Sequence, residues 1–185
     1  MIILPTTYLG PVEWYRQFMV NPSEVAIEVM ESFPKQTYRN RCTITVPHDS
    51  QSNCQSPIAN HLTLTVPVKR ADSKQLTKDV EISYQQKWQH QHWIALVSAY
   101  KRTPYFDYYA DFFRPFYEQE TRFLVDFNEK IHEVIHQLIR NSEFKIQNSK
   151  FTTDWNGLDL EPCFGNGQSI LDILFEYGPE SVMKI

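Results

Sequence analysis

The apolar and polar positions of this chain follow three successive rhythms. Residues 2 to 4 (IIL) form a short apolar run ended by Pro5, and Val12, Tyr15 and Phe18 recur at helical spacing behind Pro11. This opening predicts a buried strand, a loop PTTYLG and a helix over about 11 to 19. EVAIEVM at 24 to 30 alternates and is β-branched, so a second strand follows, and a strand–loop–helix–strand order favours parallel pairing. The rhythm then shifts to alternation of Thr with Ile, Leu or Val in TITVP (43 to 47) and HLTLTVPV (61 to 68), the mark of half-buried antiparallel strands. Polar, turn-rich HDSQSNCQSPIAN between them predicts an exposed loop, and DVEISY at 79 to 84 a further strand after the charged connection KRADSKQLTK.

From Trp88 the period lengthens to that of helices. Trp93, Leu96, Val97 and Tyr100 share one stripe, ended by Pro104, and further helices are expected over about 105 to 120 and 121 to 140. In the last of these the apolar stripe is Leu124, Phe127, Ile131, Val134, Ile135 and Leu138, with Asp126, Glu129, Lys130 and Glu133 on the wet side. FKIQN at 144 to 148 reads as a late strand, FTTDWNG as a turn, and SILDILFEYG as a final helix stopped by Gly178 and Pro179. Together these predict a single α/β domain over residues 1–185. Its mixed sheet begins with a β-loop-helix-strand unit and continues in antiparallel middle strands, and the C-terminal half is helical.

Composition narrows the function classes. The 185 residues suffice for one sizeable core, and 42% hydrophobic with 22% charged residues is an ordinary globular balance. A net charge of -4 supplies no positive field for nucleic acid. The N-terminus lacks a basic region, and no stretch of about twenty apolar residues occurs, which predicts a cytoplasmic chain with no signal peptide and no membrane span. Three cysteines, Cys42, Cys54 and Cys163, are an odd number at no metal-ligand spacing and are expected to stay reduced. No cofactor is implied.

One short motif invites a metal. HEVIH at 132 to 136 places His132 and His136 one turn apart on a helix face, with Glu133 available to activate water, as in zinc hydrolases. The extended metzincin form would need Gly at 139 and His at 142, where this chain has Ile139 and Ser142. A third carboxylate could come only from Asp154 or Glu161, in a turn-rich stretch with no helix to aim it. The competing expectation is that both histidines form a partly exposed helix shoulder beside the apolar stripe.

A broader signal is spread along the chain. FPKQTYRNRCTI at 33 to 44, LTVPV at 64 to 68, WQHQHWIALVSAYKRTPYFDYY at 88 to 109 and LVDFNEKI at 124 to 131 together resemble the WbqC-like protein family. The opening ILPTTYLGPVEWY resembles that family's N-terminal loop and helix in a variant form, since many relatives carry Gln-Pro and Tyr-Leu-Pro-Trp runs there. SILDILFEYGPES resembles the tail of one branch. The resemblance implies a role beside bacterial surface-polysaccharide genes of the O-antigen type. Acyl or aminoacyl transfer to a nucleotide-linked amino sugar is the implied reaction, with that sugar and an acyl donor as partners. A non-catalytic scaffold or ligand-binding subunit of a glycan assembly cluster is the alternative.

The matching residues have chemistry of their own. Lys35, Arg39 and Arg41 put three cations within seven positions, a set suited to a sugar nucleotide's diphosphate or, equally, to internal ion pairs with Glu28 and Glu31. His92, in a W-x-x-x-H-W block, titrates near neutrality and could accept the proton shed by an attacking amine, or could simply bond a carbonyl in the core. Cys42 is a candidate nucleophile if a histidine lies beside it, and otherwise a small core residue. Trp88 and Tyr100 are candidates for a sugar or base pocket, against the plainer expectation of core packing. Tyr8 lies in the loop that leaves the first strand, where open α/β sheets bind ligands.

Overall fold

A computed structural model describes residues 2–20, 25–34, 37–46, 60–69, 74–140 and 169–185. Lys35, Cys54, Asp154, Glu161, Cys163, the expected strand at 144–148, the turn at 151–157 and nearly all of the loop at 48–60 lie outside these residues.

Strand β1 (Ile2–Pro5), helix α1 (Val12–Val20) and strand β2 (Val25–Glu28) form the expected opening unit, with β1 parallel to β2 and Ile2 opposite Val25. Strand β3 (Arg41–Val46) pairs antiparallel with β4 (Asn60–Thr65), Cys42 opposite Leu64. The single mixed sheet is not what forms: among the described residues there are two separate two-stranded sheets. The chain between β2 and β3 turns at 37–40 instead of extending, and what joins the two sheets is loop bonding, such as the Tyr8 amide donating to the Tyr38 carbonyl at 2.8 Å.

The strand expected at 79 to 84 is also replaced. A 3-10 turn occupies Thr77–Asp79, and Glu81 and Ile82 make isolated bridges to Phe123 and Val68 on opposite sides. Residues 80–83 bond on both sides at once, to 67–69 and to 122–124, but each pairing is a single bridge long, and on the first side Pro67 has no N–H to return the bond that Ser83 gives it.

Helices α2 (Trp88–Tyr100), α3 (Phe106–Glu118), α4 (Leu124–Arg140) and α5 (Ile170–Tyr177) fill the C-terminal half. None of the helices in the described residues is long and apolar enough to cross a membrane. Ser169 and Asp172 form a reciprocal capping box at the start of α5. Gly178 ends it at φ 54°, with the Tyr105 ring 2.4 Å from where a Cβ would stand. Asp172 does more than cap: it accepts from the Tyr100 hydroxyl at 2.6 Å and from the amide and hydroxyl of Thr45, fastening α5 to α2 and β3.

One hydrophobic cluster runs from Leu4 through Ile44, Leu96, Phe127 and Ile135 to Phe175. In α4 the buried face is rotated from the expected stripe. Val134 and Leu138 are only half-buried, while Asn128, His132 and His136 are buried with Ile131, Ile135 and Ile139. The histidines are therefore core residues, not a shoulder, and what tolerates them there is the polar equipment of the N-terminal loop and α1.

Candidate functional site

The segment from Pro5 to Gly10 is buried throughout, although it is neither helix nor strand beyond Pro5. A buried loop must satisfy its polar groups internally. Thr6 Oγ1 accepts from Asn128 Nδ2 at 3.1 Å, and the same amide nitrogen donates to the Arg39 carbonyl at 2.8 Å. Leu9 holds φ 48°, a left-handed conformation uncommon outside glycine, and is fully packed. Gly10 is fixed by contact: a Cβ there would stand 2.5 Å from the Thr7 hydroxyl oxygen. Gly10→Ala is expected to destabilise the chain by about 1–3 kcal/mol and to displace Thr7, read by chemical denaturation together with the imidazole resonances of His132.

Two buried histidines flank this loop with the same bonding logic. His92 Nδ1 lies 2.9 Å from the Tyr8 hydroxyl, which lies 2.9 Å from the Tyr117 hydroxyl. The ring of His92 also bonds the Thr65 backbone, so it donates there and Nδ1 accepts from Tyr8. His132 Nδ1 lies 2.6 Å from the Tyr15 hydroxyl, and Nε2 faces Thr7 Oγ1 at 3.3 Å. Burial disfavours the imidazolium in both, pushing His92 down to about 4 and His132 down to about 3, the latter aided by repulsion from His136. Both rings are uncharged at neutral pH. Burial likewise holds the Tyr8, Tyr15 and Tyr117 phenols well above their usual range.

The sequence candidates divide into those that meet here and those that do not. Cys42 lies close enough to Tyr8, Tyr15, Tyr100 and Tyr117 to oppose their ionisation, so Cys42, Tyr8, His92 and Tyr100 do converge. They converge in the core. Burial pushes the Cys42 thiol up, with repulsion from Asp172 adding to it, which keeps the sulfur protonated and a poor nucleophile. Tyr100 is committed to Asp172, and Trp88 packs edge-on against His92 with centroids 5.0 Å apart. Asp172 gives no local motif for this role; its capping-box spacing is the nearest signal.

The cations separate. Arg39 is buried and pairs with Glu31, whose carboxyl burial raises its pKa against the pull of that guanidinium. Arg41, half-buried at the start of β3, has a buried Nε with no hydrogen-bond partner among the described residues. Lys35 lies outside them.

HEVIH has the wrong orientation for a zinc hydrolase. His132 has both ring nitrogens in contact with hydroxyls, His136 packs against Phe18 at 4.5 Å, and Glu133 points outward. No group of three His, Cys, Asp or Glu side chains suited to a metal occurs among the described residues.

Two clefts have other linings. A polar one around Tyr84 and Thr121 holds Lys69 and Arg122, both paired with Glu81. A narrow one, with a cavity volume of only about 30 Å³, lies between α1, β2 and α4, with Thr6 and His132 in its wall. Neither is lined by His92, Arg39 or Arg41.

No curated protein and no solved structure matches the chain. A family model does, over residues 8–151, a span that takes in Tyr8, the cation block, the buried histidines His92, His132 and His136 and the helices that carry them. The chain belongs to the WbqC-like protein family.

Proposed function

We propose that the chain acts in bacterial surface-polysaccharide precursor synthesis of the O-antigen type, transferring an acyl or aminoacyl group to a nucleotide-linked amino sugar. Family membership supports the setting. In the chain itself the reading is carried by Arg41. A buried guanidinium N–H without an acceptor costs about 1–3 kcal/mol, and a diphosphate oxygen is the acceptor that would recover it. The buried Trp88 indole N–H is a second donor without an acceptor among the described residues.

In the proposed reaction the sugar amine attacks the acyl carbonyl, the carbonyl–donor bond breaks, and the nitrogen loses a proton. His92 is the base, uncharged at neutral pH; its lone pair at Nδ1 accepts from Tyr8, so the amine proton passes to the Tyr8 oxygen as the Tyr8 hydroxyl proton passes to Nδ1. The protonated Cys42 favours direct attack by the amine over an acyl-thioester intermediate. Against this stands one alternative, a non-catalytic scaffold or ligand-binding subunit. It is favoured by the burial of His92 and Cys42 and by the internal satisfaction of the Tyr8–His92 pair.

Thermal melts with UDP-, dTDP- and GDP-linked amino sugars, an acyl-CoA and zinc, on the wild type and Arg41→Ala, test the reading. A cognate nucleotide sugar at about one hundred times its dissociation constant adds about 2.7 kcal/mol, or roughly 5–11 °C in a chain of this size. That shift should vanish in Arg41→Ala. No shift with any nucleotide sugar moves the reading to the scaffold, and stabilisation by zinc alone revives the hydrolase.

A further inference from the structure

Counting donors fixes where the protons lie beside His92. The protonated ring nitrogen of His92 donates to the Thr65 backbone, which leaves a bare lone pair at Nδ1. The Tyr8 hydroxyl, 2.9 Å away, has one proton and spends it there. Tyr8 has none left for the Tyr117 hydroxyl, also at 2.9 Å, so Tyr117 donates that bond. The result is a chain of hydrogen bonds with one sense, from Tyr117 to Tyr8 to His92 to Thr65. All three rings are buried, where each bond of such a chain strengthens the next.

Four separate parts of the fold supply the chain. Tyr8 stands in the loop after β1, His92 in α2 and Tyr117 in the last turn of α3. Thr65 ends β4 on the rung where it pairs with Arg41, so the proton path and the guanidinium offered to the diphosphate share one rung of β3–β4. Ring packing holds Tyr117 in place: its centroid lies 5.8 Å from that of Trp93 and 6.4 Å from that of His92.

We propose that Tyr117 is a positioning residue for the transfer, aiming the Tyr8 hydroxyl at His92 and steadying the Tyr8 oxygen while it relays the proton, a role that rests on the transfer reading. As the amine N–H bond breaks, an O–H bond forms at Tyr8, the former Tyr8 O–H bond breaks and Nδ1 gains that proton. Tyr117 keeps its own proton throughout and donates to an oxygen that is electron-rich in mid-transfer.

Nitrogen–proton correlation spectra of the imidazoles, recorded on the full chain at neutral pH, test the sense of the chain and need no substrate. The wild type should carry the His92 proton on Nε2 with Nδ1 bare. Tyr117→Phe should keep that tautomer, move the Nδ1 resonance and leave the ring of His132, bonded to Tyr15, unmoved. A wild-type His92 proton on Nδ1, a tautomer that flips in Tyr117→Phe, or a still Nδ1 resonance would each overturn the proposal. The kinetic arm uses the UDP-, dTDP- and GDP-linked amino sugars with an acyl-CoA. There Tyr117→Phe should lower kcat about fivefold and leave KM unchanged. An unchanged kcat, or a loss confined to KM, overturns the positioning role. Absence of wild-type turnover with every pair sinks the transfer reading and the role with it, and the spectra tell that failure apart from a wrong sense of the chain.

Discussion

Acidification from pH 7 to pH 5 is expected to lower the unfolding free energy by about 4 kcal/mol, more than the usual cost of a point mutation. The cause is the pair of buried imidazoles. His92 and His132 have an ordinary value of 6.5 and are pushed down to about 4 and about 3 in the folded chain. Below 6.5 the unfolded chain takes up a proton on each ring and the folded chain does not. Each ring therefore removes about 1.4 kcal/mol of stability per pH unit, down to about 4 for His92 and about 3 for His132.

Other groups enter later and in both directions. Glu31 and Glu129 are raised, so the folded chain protonates them first and gains stability near the carboxylate range. Glu81 is lowered by Lys69 and Arg122, so its contribution is lost there. Urea unfolding at pH 7, 6 and 5 measures the slope, and the His92→Asn, His132→Asn double variant should flatten it. A wild-type stability level across that range would mean that the two rings are not held uncharged.

The second large effect is expected from Trp14→Ala: a loss of about 3–5 kcal/mol and a fall in melting midpoint of roughly 6–20 °C. Trp14 is fully buried, and its indole N–H donates to the Pro5 carbonyl at 2.9 Å. Its ring stacks on His132 and on Phe18, and meets Tyr15 edge-on with centroids 4.9 Å apart. Truncation leaves a cavity, strands a backbone acceptor at the end of β1 and loosens the ring that flanks His132. Differential scanning calorimetry reads the effect. A midpoint within a few degrees of wild type would show that α1 does not hold the loop in place.

The β1–α1–β2 unit and the alternating Thr strands were legible because each carries its own period and its own stops, Pro5 and Pro11 at one end and Pro67 at the other. Parallel pairing followed from the connection alone. Residues 79 to 84 have the composition of a strand yet make only one bridge on each side, to Phe123 and to Val68, because the length of a pairing is set by partners distant in the chain. Likewise, nothing in the alternation of the middle strands could say that they form a sheet separate from β1 and β2.

For the candidate site, the residue types were legible and their surroundings were not. Tyr8, His92, Cys42 and Tyr100 can be singled out, but their convergence is inside the core, where burial and the Asp172 carboxylate keep Cys42 a thiol. Glu129 falls on the wet side of the pattern and is exposed, yet it also lines a narrow cleft together with residues of α1 and β2. The sequence by itself determined the family, the β1–α1–β2 opening, the paired Thr strands and the order of the C-terminal helices, because those depend on residues near one another in the chain. The tertiary structure alone decided that Asn128, His132 and His136 of α4 are buried. An apolar period cannot register a polar side chain whose partners, Tyr15, Thr7 and Thr6, lie more than one hundred residues away.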